Sequence, residues 1–240
     1  MSEKRIPILM YHSISKPLKG FAMRGLNVPP LKFKIQMYIL KFLGYKGVGL
    51  NEIIPYLLGE KKGKVVGITF DDGYLDNFNY ALPVLKKLNF SATCFIVSNL
   101  IGKENIWDKN KGIHIKKLMN KNQIKYWIDS GLEIGSHTKN HVRLSQQNKE
   151  VLVEEIRDSK QYLETNFKVN IDSFCYPYGD FSLDVRNIVS NNGYKIATTT
   201  KRGLAKKEDD FLLLPRVLVN HRTFVLNFIL KILTKYEEKR

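Results

Sequence analysis

The run Ala92-Thr93-Cys94-Phe95-Ile96-Val97 lacks the polar–apolar alternation of a half-exposed strand, and this constrains the fold more than any other feature. A strand covered on both faces belongs in a parallel sheet flanked by helices. A second buried-strand run, residues 64–70, is rich in β-branched residues and stops abruptly in Asp71-Asp72-Gly73. Further strand-like segments at 6–14, 45–50, 132–136, 171–176, 194–199 and 212–219 are separated by helical patterns at 31–43, 52–58, 79–88, 123–130, 150–167, 184–192 and 223–236. Asn51 reads as the cap of the helix at 52–58. The alternation, with no linker-like break or repeat, predicts one α/β domain over residues 1–240, as a parallel barrel or a doubly wound sheet. Residues 98–120, with Gly102, Trp107, Asp108 and Gly112, follow neither period and read as a long loop over the site or a local insertion. In both architectures the polar clusters after the strands gather at one end.

Composition limits the partners. With 43% hydrophobic and 26% charged residues the chain is expected to pack as a globular protein rather than stay disordered or cross a membrane repeatedly. A formal charge of +16 attracts polyanions or anionic lipid surfaces. No basic run is interleaved with aromatics, so no nucleic-acid partner is expected. Cys94 and Cys175 both sit in strand-like segments and read as buried free thiols, with no CxxC pair. The apolar residues 6–10 are broken by Pro7 and too short for a signal peptide, which predicts a cytoplasmic protein, with the inner face of the membrane as a docking place. Residues 224–233 are strongly apolar and bordered by Arg222, Lys231 and Lys235, but a bilayer span needs ~20 residues. They read as a barrel-closing helix, or as one lying on an anionic membrane.

Chemistry concentrates after three of the strands. Asp71 and Asp72 leave a strand end on opposite sides, so one can hold a cation while the other addresses what lies beside it. His137 and His141 follow another strand four residues apart, and two imidazoles with a carboxylate make the ligand set of an open catalytic metal site. His12 ends the first strand and is a site-facing candidate, whereas His114, in the irregular segment, reads as structural or exposed.

Thr69-Phe70-Asp71-Asp72-Gly73, Ser136-His137-Thr138-Lys139-Asn140-His141 and Tyr176-Pro177-Tyr178-Gly179 resemble, in order and spacing, three signature motifs of the polysaccharide deacetylases, the NodB-homology enzymes of carbohydrate esterase family 4. Met10-Tyr11-His12-Ser13-Ile14 resembles the start of their poly-N-acetylglucosamine deacetylase branch. The resemblance implies a distorted (β/α) barrel of seven or eight mostly parallel strands and a metal-dependent hydrolase removing acetyl groups from an N-acetylated glycan or glycolipid of the cell envelope. It implies Asp72, His137 and His141 as ligands of a divalent metal, commonly zinc, and Asp71 as general base. Tyr178 would offer its backbone N–H to the oxyanion. His221, in Leu218-Val219-Asn220-His221, is a partial match to the family's late acid motif, and His12 competes with it. Many members carry an arginine two residues before the motif proline, where this chain has Cys175; Arg216 is a candidate to reach inward to a carboxylate or an anionic substrate. The rival expectations are a non-catalytic glycan- or membrane-binding barrel and an amidohydrolase acting on a small non-sugar amide.

Overall fold

The computed structural model describes residues 5–239. In chain order the elements are β1 (Arg5–Ile6), β2 (Ile8–Tyr11), α1 (Pro30–Phe42), β3 (Lys46–Val48), α2 (Leu50–Leu57), β4 (Val65–Phe70), α3 (Leu82–Leu88), β5 (Thr93–Ile96), α4 (Lys121–Asp129) and β6 (Glu133–Ser136). They continue with α5 (Lys149–Val153), α6 (Ser159–Phe167), β7 (Ser173–Cys175), α7 (Leu183–Asn191), β8 (Ile196–Arg202), β9 (Ala205–Lys206), β10 (Leu214–Leu218) and α8 (Val225–Leu233). Seven parallel strands close a barrel in the order β2, β4, β5, β6, β7, β8, β10 and back to β2. β3 pairs in parallel with the first half of β4. β1 and β9 form a separate antiparallel pair.

Successive strand residues point to opposite faces, and here both faces are covered. Cys94 and Ile96 of β5, with Val66, Ile68 and Phe70 of β4, belong to the large outer core shared with the helices. Phe95 and Val65 belong to an inner cluster with Ile8, Ile196, Leu214 and the apolar face of α2. This double coverage is the physical reason for the missing alternation.

Three departures from the sequence reading concern local structure. Asn51 does not cap α2: the cap position is Gly49, and the N-terminal N–H of Asn51 is bonded at 3.0 Å by the Glu133 carboxylate of β6. A glycine is required at 49, because a Cβ there would lie 2.2 Å from the Glu133 carboxyl carbon. The segment read as one helix over 150–167 is α5 and α6 joined by a π-helical turn, Glu154–Asp158. A second π-helical turn, Asn77–Ala81, leads into α3. Residues 98–120 contain two 3₁₀ turns, Ser98–Leu100 and Ile106–Lys111, and bridge to neighbouring loops through the pairs Tyr74–Leu118 and Ala22–Ile113. The segment thereby covers the carboxyl end of the barrel.

Candidate active site

A cavity of about 410 Å³ opens at that end, lined among others by His12, Asp71, Asp72, His137, His141 and Tyr178. Six of the seven sequence-designated side chains therefore converge. The seventh, His221, does not line the cavity. The chain turns sharply after β10, the His221 N–H donates to the Gly25 carbonyl at 3.0 Å, and its ring Nδ1 sits 3.4 Å from the same oxygen.

The two aspartates are separated by backbone conformation as well as by strand geometry. Asp71 continues the ladder, its N–H donating to the Tyr11 carbonyl at 2.9 Å. Asp72 turns out of it with φ of 74°. Among the described residues seven non-glycines have positive φ, and four of them, Asp72, Thr138, His141 and Tyr178, belong to the three motifs. Such conformations cost roughly 1–3 kcal/mol each and persist where the surroundings over-determine them. Gly179, at φ 68°, is the one residue type its place accepts, since a Cβ would lie 2.0 Å from Thr200 Oγ1.

Asp72 Oδ1 lies 3.4 Å from His137 Nε2 and 3.3 Å from His141 Nε2, and all three residues are buried. Ligand atoms held about 2.0–2.2 Å from a tetrahedral ion are separated by roughly 3.3–3.6 Å, so these side chains fit a metal of that geometry. His137 is oriented for it, because its Nδ1–H donates to the Cys175 carbonyl at 2.7 Å and leaves Nε2 directed at Asp72. His141 is held differently, its ring stacked on Trp107 with centroids 4.4 Å apart and set edge-on to Tyr178 at 4.7 Å. Burial by itself would raise the Asp72 carboxyl, but its bonds to the two imidazoles outweigh burial and hold it well below the ordinary carboxylate range. Burial lowers His141 and favours the neutral imidazole that ligation requires.

The loop carrying these ligands is buttressed from the π-helical turn. Glu155, buried there, accepts from the N–H groups of Lys139 at 3.0 Å and Asn140 at 2.8 Å and from the Asn140 side chain at 2.6 Å. Thr138 Oγ1 accepts from the His141 N–H at 3.0 Å, and the Thr138 carbonyl accepts from Ser159 Oγ at 3.1 Å.

Asp71 is claimed by Arg216. The guanidinium crosses the barrel from β10 and donates two bonds to the carboxylate, at 2.7 and 2.8 Å. It also donates to the Thr199 carbonyl at 2.9 Å and to Thr69 Oγ1 at 3.1 Å, and it meets Cys175 Sγ at 3.3 Å. All five donors are thus used in a fully buried setting. Burial would raise Asp71, but Arg216, with smaller contributions from His12 and His137, offsets it and holds the carboxyl below its ordinary value. The arginine absent at position 175 is therefore supplied from another strand, and the small Cys175 side chain leaves room for it. Asp71, His137 and Cys175 also lie close enough together to suggest a second metal set. Arg216 rules against it, since its positive charge already occupies both Asp71 and the sulfur.

His12 Nε2 stands 3.7 Å from Asp71 Oδ2 and faces the cavity. Tyr178 occupies a 3₁₀ turn, Pro177–Gly179, directly after β7, and its hydroxyl donates to Asp108 at 3.1 Å. Trp107, Asp108 and Lys116 line the cavity from the irregular segment, where no period marked them. The clue available was the cluster of a tryptophan and an aspartate in an otherwise polar loop. His114, expected to be structural or exposed, also lines the cavity, its ring 4.8 Å from that of Phe21.

The profile of the family described as polysaccharide deacetylase matches residues 58–197. A polysaccharide deacetylase of Bacillus subtilis (strain 168) is 33% identical over 218 residues, covering 90% of this chain and 72% of that protein. The chain belongs to the polysaccharide deacetylase family. A poly-β-1,6-N-acetyl-D-glucosamine N-deacetylase of Staphylococcus epidermidis is 30% identical over 239 residues, 90% of this chain and 79% of that one. The Streptococcus pyogenes deacetylase PplD, solved in complex with acetate, superposes with a TM-score of 0.83 at 28% identity, covering 96% of this chain and 99% of that one. The protein is thus a hydrolase of the polysaccharide deacetylase type, with the closed seven-stranded barrel of its relatives.

Proposed function

We propose that this polysaccharide deacetylase is a metal-dependent de-N-acetylase acting on N-acetylglucosamine units of a cell-envelope glycan, releasing acetate and leaving a free amine. The observation that carries the proposal is the division of the two aspartates: Asp72 faces two imidazole nitrogens at metal-ligand spacing, while Asp71, one residue away, is kept from them by Arg216. Asp72, His137 and His141 would hold a divalent ion, and a donor set of two imidazole nitrogens and one carboxylate oxygen would suit zinc. When bound, such an ion polarises a carbonyl and lowers the pKa of water toward ~7.

The remaining work falls to the chain. Asp71, ionised and fixed in orientation by two bonds from Arg216, accepts a proton from the attacking water. His12, on the cavity wall beside Asp71, donates a proton to the leaving nitrogen, the task for which the sequence offers both His221 and His12. The left-handed turn at Tyr178 presents its peptide N–H to the developing oxyanion. Arg216 speaks against a non-catalytic barrel as far as the missing motif arginine goes, since the base has a guanidinium partner from another strand. The substrate class rests on the staphylococcal relatives, whose names specify a poly-β-1,6-linked N-acetylglucosamine polymer.

Acetate release from β-1,6-linked N-acetylglucosamine oligomers, assayed with and without a chelator and after zinc is restored, tests this. Release that stops on chelation and returns with metal is expected. A metal-loaded protein that liberates no acetate from any N-acetylhexosamine oligomer contradicts it.

A further inference from the structure

The apolar surface of this protein is unevenly distributed. Among the described residues eighteen large hydrophobic side chains are exposed, and nine of them lie on α1 and α8 or at the cap of α8. On α1 they form one stripe, Leu31, Ile35, Tyr38 and Phe42, at the spacing of a single helix face. On α8, Leu226, Leu230 and Leu233 form another, while Phe228 and Ile232 on the opposite face enter the core. The helix therefore does close the barrel, yet it also presents a second apolar face. Phe42 is 90% exposed and Leu226 76%, so neither stripe is covered by the rest of the chain.

The two helices are neighbours. Gln36 of α1 donates to the Thr223 carbonyl just before α8 at 3.3 Å, and the Lys32 ammonium lies 4.3 Å from the centre of the Phe224 ring. Neither helix contains an aspartate or a glutamate. Exposed cations flank the stripes instead, Lys34 and Lys41 on α1 and Arg222 and Lys235 at the two ends of α8. Among the described residues no helix is long and apolar enough to cross a membrane.

We infer that the joint face of α1 and α8 docks on an anionic lipid surface. Apolar stripes flanked by Lys34, Lys41, Arg222 and Lys235 match an interface of acyl chains below and negative headgroups above. A second copy of the chain fits less well, because it would set one acid-free basic face against another on molecules of formal charge +16. Docking also has a consequence for the site. Both helices start at the barrel end that carries the cavity, and the loop contacting His221 contributes Met23 and Leu26 to the cavity wall. The cavity edge then lies beside the headgroups, which favours a membrane-proximal or lipid-linked glycan. This last point rests on the deacetylase reading, whereas the docking itself does not.

The test is co-sedimentation of the full chain with vesicles of phosphatidylcholine alone and of phosphatidylcholine mixed with phosphatidylglycerol, at low and high salt. Binding to the mixed vesicles that weakens with salt is expected. Leu226→Glu with Leu230→Glu should weaken it about tenfold or more. Lys34→Gln with Lys41→Gln, which leaves the apolar stripes intact and so guards against a folding artefact, should weaken it about fivefold per charge. Unchanged melting temperatures confirm that the variants fold. No binding to the anionic vesicles overturns the inference, as does binding indifferent to both pairs of substitutions. So does a dimer in sedimentation that the leucine substitutions dissociate while vesicles are ignored. Acetate release from a soluble oligomer is read separately, so loss of docking and loss of deacetylation are distinguishable.

Discussion

The floor and the roof of the cavity are built by different means. The floor is made by residues on or directly after barrel strands, Asp71, Cys175 and Arg216, where the Arg216 guanidinium bonds the Asp71 carboxylate and the Cys175 sulfur and is anchored on the Thr199 carbonyl. The roof consists of Trp107, Asp108 and Tyr178 on turns, joined by ring contacts and one hydroxyl–carboxylate bond. His137 is fixed by a floor carbonyl, and His141 by roof rings. The difference implies that the floor sets whether the protein folds with a competent base, while the roof adjusts how tightly the metal and glycan are held.

Arg216→Met should give the largest effect. It strands a buried carboxylate, and removing one partner of such a pair typically costs about 3–5 kcal/mol, to be read by urea denaturation. A loss below about 1 kcal/mol would mean that Asp71 finds another partner and that the floor is less rigid than described. Glu155→Gln comes next. It keeps the shape of the buttress but weakens the charge-assisted bonds to the ligand loop, and metal affinity should fall about tenfold, as for other groups that orient metal ligands. Titration of the apo-protein with zinc measures it directly, and an unchanged affinity would show that Thr138 alone shapes the loop. Trp107→Ala should be mildest, since a ring–ring contact contributes about 0.5–1.5 kcal/mol and metal affinity should drop only several-fold. A loss as large as that from Glu155→Gln would show that the roof rings hold the ligand loop as firmly as its carboxylate buttress does.

The floor was legible because each of its parts follows a strong strand signal. The runs at 64–70, 132–136 and 171–176 show where strands end, and parallel strands bring those ends together. That geometry gives a shared carboxyl-end site with an aspartate and the histidine pair in it, while the closed barrel and the choice of Asp72 as ligand come from the family resemblance. Of the roof, Tyr178 was designated through its motif, whereas residues 98–120 could be read only as a loop over the site or an insertion, because their short 3₁₀ turns and isolated bridges leave no period to read. Trp107 and His114 owe their places to contacts from other loops, so their neighbours in sequence carry little information. His221 illustrates a third case. Its motif match was partial, and both its N–H and its ring Nδ1 lie against the Gly25 carbonyl of a distant loop, outside the cavity lining. The π-helical turns were invisible as well, since one extra residue in a helix barely disturbs an amphipathic pattern, yet one such turn is what delivers Glu155 to the ligand loop.

The central claim is the division of labour between adjacent carboxylates, and it is tested most directly by measuring zinc content and acetate release side by side in Asp71→Asn and Asp72→Ala. Asp71→Asn should bind zinc as the parent does while turnover falls by about 10² to 10⁴, the usual worth of a general base. Asp72→Ala should lose zinc and turnover together. Equal zinc binding by both variants, or loss of zinc in Asp71→Asn with Asp72→Ala still loaded, would contradict the account.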